Sequence, residues 1–197
     1  MKDCLIWISG YPGVGKFTIA KELKALIGQD AILIDNHQLI DVVDLPRDHV
    51  DYQSQRKAVR AQAFERVLFN GETATKVAIF TDFLTTSESG KSIALEYKTA
   101  AKSSGRAFLP VHLECDATEN LSRVASEGRQ TSGTSKIVEL DLVRTLRDSF
   151  ESFRWPEGFC LDLTSLSPQE AALRILRDVE AKSQYELAVS CEDKVGQ

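Results

Sequence analysis

A glycine-rich segment near the start of the chain has the residue types that bind phosphate groups. Residues 10–18 read GYPGVGKFT and follow an apolar run from Leu5 to Ile8. Glycines let the backbone turn tightly and point several N–H groups at one anion, and Lys16 adds a positive charge where a helix begins. In this strand-to-helix context the pattern predicts binding of a nucleoside triphosphate, rather than a glycine-rich turn with a chance lysine. The residues predicted to bind its phosphates are Gly10, Gly13, Val14, Gly15, Lys16, Phe17 and Thr18.

One position departs from this pattern. The residue after the lysine is normally Ser or Thr, whose hydroxyl ligates Mg²⁺, whereas this chain has Phe17. Thr18 comes next, but one step along a helix rotates a side chain by about 100°, so we expect it to contact an inner phosphate instead. Mg²⁺ would then be held by phosphate oxygens, water and carboxylates. The alternative is that Phe17 marks weak or lost catalysis.

Two carboxylates follow apolar runs that are candidate strands. Asp35 comes after the run from Ala31 to Ile34, and Asp82 comes after the run from Val77 to Phe80. In open parallel sheets, ligands bind beyond the carboxyl ends of the strands. Phosphoryl transfer to a hydroxyl needs one carboxylate that orients the acceptor and takes its proton, and another that steadies Mg²⁺ through water. Each residue could instead be a helix N-cap, since Asp commonly opens a helix after a strand.

The elements that must position these residues alternate along the chain. Helical patterns separate five apolar runs, and parallel strands need such crossover helices. Strands that are apolar on both faces fit a sheet covered on both sides. We therefore predict an α/β fold with one domain over residues 1–185, whose strands are Leu5–Ile8, Ala31–Ile34, Val77–Phe80, Phe108–Leu113 and Phe159–Leu163.

Two helix starts are explicit in the sequence. Asp116 and Glu119 have the spacing of a capping box, in which each side chain accepts from a free backbone N–H of the first turn. Ser167 stands at a cap position with Pro168 at the first helical position. We expect helices to begin at both places.

A polar segment interrupts the alternation before the fifth strand. Residues 127–135 read EGRQTSGTS, and we expect this segment to be a mobile excursion from the fold. Arg123 and Arg129 flank its start, and the charged transition state of phosphoryl transfer is stabilised by guanidinium groups on a closing lid. The alternative is that both are ordinary solvated charges beside neighbouring acids. The last residues, 186–197, are expected to form a flexible tail.

Composition excludes several classes of protein. The chain has 197 residues and a formal net charge of −5, which argues against broad binding to nucleic acid or acidic membranes. No apolar stretch approaches the roughly 20 residues of a membrane span, and the start of the chain lacks the features of a signal peptide. The four cysteines lie far apart, and three of them, Cys4, Cys115 and Cys160, sit in apolar runs that suggest core positions. These features predict a cytoplasmic protein.

The chain resembles the P-loop kinases that phosphorylate small molecules. The resemblance is to the shikimate kinase, gluconate kinase and chloramphenicol phosphotransferase-like group and to uncharacterised AAA-type ATP-binding proteins. Three segments carry it: the Walker A segment ISGYPGVGKFTIAKEL, then LIDNH after the second strand, and VHLECDATENLSRVASEGR after the fourth. It implies a three-layer P-loop fold, a five-stranded parallel sheet in the order 2-3-1-4-5 and a small lid, over about 123–137, between the fourth and fifth strands.

The same resemblance implies roles for individual residues. Asp35 corresponds to the general base that serves the acceptor, and Asp82 corresponds to the Walker B carboxylate on the metal side. Lys16 is expected to be catalytic, together with Arg123 and Arg129 of the lid. Expected cofactors are ATP and Mg²⁺.

The expected function is transfer of the γ-phosphate of ATP to a small hydroxylated molecule or nucleotide. The alternative is a nucleotide-binding regulator or slow ATPase without an acceptor, which Phe17 favours. A nucleic-acid substrate is not expected, because the acidic composition gives little sign of a basic, aromatic-lined channel.

Two arginines bear on the acceptor. Arg56 and Arg60 are four residues apart on a predicted helix and so share a face. They would suit an anionic acceptor, but the favoured interpretation is a solvated face that pairs with Asp51 or Glu65.

Overall fold

Five strands form the centre of the protein. The computed structural model describes residues 3–126, 137 and 139–195, with side chains up to residue 182. The strands are β1 (Cys4–Ser9), β2 (Ala31–Ile34), β3 (Val77–Thr81), β4 (Ala107–Glu114) and β5 (Phe159–Asp162). All neighbouring pairs are parallel, and the order β2-β3-β1-β4-β5 confirms the predicted sheet.

Helices connect the strands, as parallel pairing requires. The first, α1, begins at Lys16 directly after the glycine-rich loop, and α2 begins one residue after Asp35. In the described residues the helices are α1 (Lys16–Ile27), α2 (Asn36–Ile40), α3 (Tyr52–Phe64), α4 (Glu88–Ser103), α5 (Ala117–Ala125), α6 (Leu140–Ser149) and α7 (Pro168–Val195). There are also shorter helical segments: single 3₁₀ turns at Gly28–Asp30 and Gly71–Thr73, and a π-helical turn at Glu65–Phe69.

The sheet is apolar on both faces, as predicted. Alternate residues of β1 point to opposite sides, so that Ile6 and Ile8 belong to one buried cluster and Leu5 and Trp7 to the other. The first cluster is completed by α1 and α7, through residues that include Ile19, Leu23, Ala172, Ile175 and Val179. The second is completed by α3 and α4, through Ala63, Phe64, Ala94, Tyr97 and Ala101. The result is a three-layer α/β fold.

Both predicted helix starts are confirmed, with one difference. At α7, Glu170 Oε2 accepts from the Ser167 N–H at 2.9 Å and Ser167 Oγ accepts from the Glu170 N–H at 3.3 Å. At α5, Asp116 Oδ1 accepts from the Glu119 N–H at 2.7 Å, but the Glu119 carboxylate contacts Arg123 instead of reaching back. Only half of the predicted capping box therefore forms there.

The predictions for the cysteines, the C-terminal tail and the lid have different outcomes. Cys4 and Cys115 are buried, but Cys160 is exposed on the edge strand β5, so its assignment to the core is wrong. Helix α7 continues to Val195 and includes most of the predicted tail. Most of the predicted lid lies outside the described residues. No helix in the described ranges is long and apolar enough to cross a membrane.

Candidate active site

The glycine-rich loop links β1 to α1 through residues 10–15, which we call the phosphate loop. Gly10, Gly13 and Gly15 all have positive φ, at +145°, +87° and +112°. A Cβ on Gly10 would lie 2.3 Å from the carbonyl oxygen of Leu113, and one on Gly13 would lie 2.3 Å from Val124 Cγ2. The loop can therefore follow this path only with glycine at these two positions.

Lys16 lies across the phosphate loop. Its Nζ donates to the carbonyl oxygens of Gly10 at 2.7 Å and Tyr11 at 2.9 Å. The ammonium is thus held beside the loop N–H groups and the start of α1, where an anion would meet all three sources of positive potential.

One cavity of about 410 Å³ brings several of the predicted site residues together, although Gly10, Val14 and Arg123 do not line it. Lys16, Phe17 and Thr18 line it from the phosphate-loop side, and Asp35 and Asp82 line it from the ends of β2 and β3. The carboxylates reach the same place because the carboxyl ends of parallel strands lie at one edge of the sheet. Helices α2 and α3 close the far side with His37, Ile40, Tyr52, Gln53 and Arg56.

Asp35 is both a helix cap and a cavity residue. It is the N-cap of α2, where Gln38 Oε1 accepts from the Asp35 N–H at 2.9 Å in a capping box. Its Oδ1 accepts from the Thr81 hydroxyl at 2.5 Å, and the residue is 7% exposed. The two possibilities raised by the sequence therefore coexist, because the cap fixes the backbone while the carboxylate still borders the cavity.

Asp82 is almost completely buried, at 1% exposure. Its Oδ1 accepts from the Phe83 N–H at 2.8 Å and its Oδ2 from the Tyr97 hydroxyl at 3.0 Å. Burial raises the pKa of this carboxyl, while Arg56, the two hydrogen bonds and Arg60 act in the opposite direction. Burial and the nearby Asp82 charge also raise the pKa of Tyr97 well above its ordinary value, so its hydroxyl remains a donor.

Arg56 and Arg60 do not form the solvated face that the sequence favours. Arg60 is 2% exposed, donates from Nε to Glu96 Oε2 at 2.9 Å, and forms an ion pair in which Nη2 lies 2.9 Å from the same oxygen. Arg56 Nη2 donates to Asn36 Oδ1 at 3.1 Å, and the side chain lines the cavity. The predicted pairing with Asp51 or Glu65 is wrong because α3 turns this face inward, toward α2 and α4.

Arg123 lies on the side of the phosphate loop that faces away from the cavity of Asp35 and Asp82 and toward a second cavity. Its Nη1 donates to Val14 O and its Nη2 to Leu163 O, both at 2.8 Å, and its Nε pairs with Glu119 Oε1 at 2.7 Å. It lines a second cavity of about 610 Å³, between the loop and the turn after β5. Arg123 therefore lies on α5 and joins the phosphate loop to the turn after β5. Arg129 lies outside the described residues.

Comparison with known families identifies the chain. A family model described as an AAA domain matches residues 6–144, which is more than two thirds of the sequence. The chain belongs to this AAA domain family. No curated protein matches it.

Solved structures support the same fold for this AAA-domain protein. A gluconokinase from Sinorhizobium meliloti is 15% identical, with 93% of this chain and 97% of that chain covered and a TM-score of 0.59. The APS kinase of Mycobacterium tuberculosis, solved with AMPPNP and APS, is 15% identical with 91% and 98% covered and a TM-score of 0.56. The tunicamycin resistance protein of Deinococcus radiodurans is 19% identical with 90% and 95% covered and a TM-score of 0.56. The fold of the P-loop kinases is thereby confirmed.

The sequence did not reveal several residues that shape the site of this AAA-domain protein. Thr81 and Tyr97 contact the two carboxylates, and neither has a local motif. Tyr11 of the phosphate loop donates from its hydroxyl to Phe150 O at 2.7 Å, and the Arg147 guanidinium lies 4.9 Å from the centre of its ring. Such pairs are separated by up to 139 positions, so no periodicity or spacing could have indicated them.

Proposed function

We propose that this protein transfers the γ-phosphate of ATP to a hydroxyl group of a small molecule or nucleotide. The observation that carries the proposal is the shared cavity, which is bordered by the phosphate loop on one side and by Asp35 on the other. A site that only bound nucleotide would need the loop but no carboxylate at a second wall. Phosphoryl transfer to an acceptor needs both, because catalysis consists mainly of positioning and charge stabilisation.

The proposed reaction assigns each group a step. The acceptor oxygen attacks the γ-phosphorus, and the bond from that phosphorus to the oxygen shared with the β-phosphate breaks. The hydroxyl proton passes to the Asp35 carboxylate, and ADP leaves with the bonding electron pair. Lys16 and the phosphate-loop N–H groups, with Thr18, hold the phosphates throughout. Asp35 is oriented for this by Thr81 and by the cap of α2.

Mg²⁺ fits the donor set of this cavity. Asp35, Asp82 and Thr18 line it, and side-chain oxygens are the ligand type that Mg²⁺ prefers. Phe17 also borders the cavity and contributes no oxygen. Phosphate oxygens, water and the Asp82 carboxylate would therefore hold the ion, which supplies neutralisation of the phosphate charge.

Arg123 is assigned to the nucleotide side of the reaction. Its fixed position between Val14 O and Leu163 O supports a role in shaping the pocket for the base and sugar of ATP. The proposal retains Arg129, from the segment 127–136, as the arginine that would meet the transferred phosphoryl group.

The competing function is a nucleotide-binding regulator or slow ATPase, and Phe17 is the residue that favours it. The two are separated by measuring ADP formation from ATP and Mg²⁺, with and without panels of polyols, sugar acids and nucleoside monophosphates. A kinase shows release of ADP that depends on one panel, together with a phosphorylated product in phosphorus NMR. Release of ADP that no acceptor accelerates would favour the slow ATPase.

The Asp35→Asn variant tests the assigned base. We expect transfer to fall by about 10²- to 10⁴-fold while calorimetry shows an unchanged affinity for ATP. Asp30→Asn is the matched control, since Asp30 precedes β2 at the end of the strand away from the cavity. Equal losses in both variants, or a loss of ATP binding in Asp35→Asn, would contradict the assignment.

The Phe17→Thr variant tests the metal side. Threonine at this position adds a hydroxyl where the loop normally supplies one. We expect the affinity for ATP to depend more strongly on Mg²⁺ in Phe17→Thr than in the wild type, as measured by calorimetry with and without the ion. Phe17→Leu, which removes the ring without adding an oxygen, should behave like the wild type.

A further inference from the structure

Side chains of α5 hold two carbonyl groups of the phosphate loop. Asn120 Nδ2 donates to Pro12 O at 3.0 Å, and Arg123 Nη1 donates to Val14 O at 2.8 Å. Asn120 is completely buried, at 0% exposure, and a Cβ on Gly13 would lie 2.8 Å from its Nδ2. The Asn120 amide group therefore lies directly against the peptide that joins Pro12 to Gly13.

The bond to Pro12 O determines how this peptide is turned. In a trans peptide the C=O and the following N–H point in opposite directions, and the described residues contain no cis peptide. Because Pro12 O points toward α5, the Gly13 N–H points away from it, and within the described residues this N–H makes no hydrogen bond. Gly13 lines both cavities, so its N–H is free to donate to a phosphate group bound at the loop.

Arg147 of α6 fixes the Asn120 amide in turn. Its Nη1 donates to Asn120 Oδ1 at 3.0 Å, and its Nη2 donates to Cys115 O at 3.1 Å. An amide oxygen only accepts and an amide nitrogen only donates, so a guanidinium at one end and a carbonyl at the other permit a single orientation of the group. Turned by 180°, the Asn120 amide would set its nitrogen against Arg147 and its oxygen against Pro12 O.

Tyr11 provides a second contact between α6 and the phosphate loop. The Arg147 guanidinium lies 4.9 Å from the centre of the Tyr11 ring. The Tyr11 hydroxyl donates to Phe150 O at 2.7 Å and accepts from the Ser152 N–H at 3.2 Å. Neither Tyr11 nor Arg147 lines either of the two cavities described above, so these contacts hold the loop from behind.

We propose that Asn120 and Arg147 are positioning residues for ATP, which keep the Gly13 N–H turned toward the bound phosphates. Arg147 orients the Asn120 amide, and Asn120 orients the peptide between Pro12 and Gly13. This inference rests on the nucleotide binding in the proposed function and is independent of the acceptor. Because coupling between two equilibria is reciprocal, bound ATP stabilises the contacts of α6 with the loop as much as those contacts stabilise ATP.

The benefit of this arrangement is that the loop is organised before ATP arrives. Without the Asn120 bond, Pro12 O is free to turn toward the phosphates, where the negative end of the carbonyl repels them and the Gly13 N–H is lost as a donor. Restoring the binding form then takes free energy from the binding of ATP, so the Kd rises.

Variants of Asn120 test the first link. Asn120→Ala and Asn120→Asp both remove the donor to Pro12 O, but only the second changes the charge. We expect both to raise the Kd for ATP with Mg²⁺ about tenfold in calorimetry, as for the loss of about one hydrogen bond. In nitrogen-15 NMR of the full chain, the Gly13 amide proton should shift downfield on addition of ADP in the wild type, because it donates to a charged oxygen. Both variants should reduce that shift.

Variants of Arg147 test the second link at a half-buried position. Arg147→Met keeps an apolar contact with the Tyr11 ring but donates to neither Asn120 nor Cys115, so we expect the Kd for ATP to rise about threefold to tenfold. Arg147→Lys, which has no fork of donors, should lie between this variant and the wild type. The double variant with Asn120→Ala should bind ATP no more weakly than Asn120→Ala alone, because both changes act on one peptide.

The control is Arg144→Met, at an exposed position of α6 where the arginine pairs with Asp141, and it should bind ATP like the wild type. Thermal melting without nucleotide is measured for every variant. If the buried Asn120 variants do not fold, the Arg147 variants and the Gly13 shift in them decide the question.

The outcomes separate this inference from the function on which it rests. A lower melting temperature with an unchanged Kd and an unchanged Gly13 shift would assign these residues to stability alone and overturn the inference, with nucleotide binding left standing. Slower release of ADP at saturating ATP in Arg147→Met, with an unchanged Kd, would also overturn it, because Arg147 would then act on the transferred group. A wild type that binds no ATP would overturn the proposed function and this inference together.

Discussion

The hydroxyl of Thr81 donates to Oδ1 of Asp35 at 2.5 Å, across the gap between the ends of β3 and β2. The same Thr81 oxygen accepts from the backbone N–H of Asn36 at 3.2 Å. One buried hydroxyl therefore holds both the carboxylate assigned as the base and the first turn of the helix that it caps. The residue next to Thr81 is Asp82, so β3 positions both carboxylates of the cavity.

We expect Thr81→Val to lower the rate of transfer while leaving the affinity for ATP unchanged. Valine has the same shape but leaves the Asp35 carboxylate and the Asn36 N–H without their partner, and each such loss costs about 1–3 kcal/mol when buried. The measurement is kcat and the free energy of unfolding of the same preparation. Thr81→Ser keeps the hydroxyl and should remain close to the wild type. A Thr81→Ser variant as impaired as Thr81→Val would show that the methyl group, not the hydroxyl, is what matters.

Asp82→Asn should inactivate the protein but stabilise it at neutral pH. Burial raises the pKa of this carboxyl in the folded state, so the folded chain keeps the proton over a range in which the unfolded chain releases it. The free energy of unfolding of the wild type therefore falls as the pH rises from the ordinary pKa of aspartate to the raised pKa. Asparagine carries no charge and avoids that loss.

The pH dependence is the decisive measurement for Asp82. The stability gain of Asp82→Asn, measured by urea unfolding, should be absent in acid, grow through this pH range and then stay constant. Tyr97→Phe removes a hydrogen bond that favours the ionised carboxylate, so in that background the gain should continue to grow to a higher pH. A gain that is equally large in acid would mean that packing, rather than charge, is responsible.

Arg123→Lys should weaken the binding of ATP more than it slows transfer. A lysine cannot bridge Val14 O and Leu163 O while also pairing with Glu119, so the phosphate loop loses its link to β5. We expect an increase of about tenfold in the Kd for ATP, measured by calorimetry. Arg144→Lys, on an exposed part of α6, is the matched control. A large fall in kcat with unchanged Kd would instead support the action of Arg123 on the transferred phosphoryl group.

Gly10→Ala and Gly28→Ala separate two costs of replacing glycine, namely backbone strain at positive φ and steric overlap of the added Cβ. Both residues have positive φ, which costs an alanine about 1–2 kcal/mol. At Gly10 the added Cβ would also lie 2.3 Å from Leu113 O, whereas at Gly28 nothing lies within 4 Å. We expect Gly10→Ala to lower the unfolding free energy by clearly more than Gly28→Ala and to abolish ATP binding, which Gly28→Ala should leave intact. Equal destabilisation would show that the loop shifts freely to make room.

Much of the fold could be predicted because its determinants are local. The apolar runs mark the strands to within about one residue, and the glycine-rich turn and Ser167–Pro168 mark helix starts by their chemistry. The inward face of α3 was harder to predict, because burial of Arg60 depends on Glu96, which is 36 positions away on another helix. A charge at helical spacing looks the same in sequence whether its partner is solvent or a distant acid. Cys160 was misplaced for the related reason that β5 is an edge strand, which a short apolar run does not reveal.

The place of each strand in the sheet gives the two walls of the cavity different local stabilities. The phosphate loop follows β1, which is hydrogen-bonded on both sides, whereas Asp35 follows β2, a strand of four residues at the edge of the sheet. Amide protons of β1 should therefore exchange with solvent only on global unfolding, and those of β2 through smaller local openings. Substitutions around β2, α2 and α3 can then accumulate without disturbing the part of the chain that is proposed to hold the phosphates. Such an arrangement allows one nucleotide-binding frame to acquire new acceptors by changes confined to its more pliable edge.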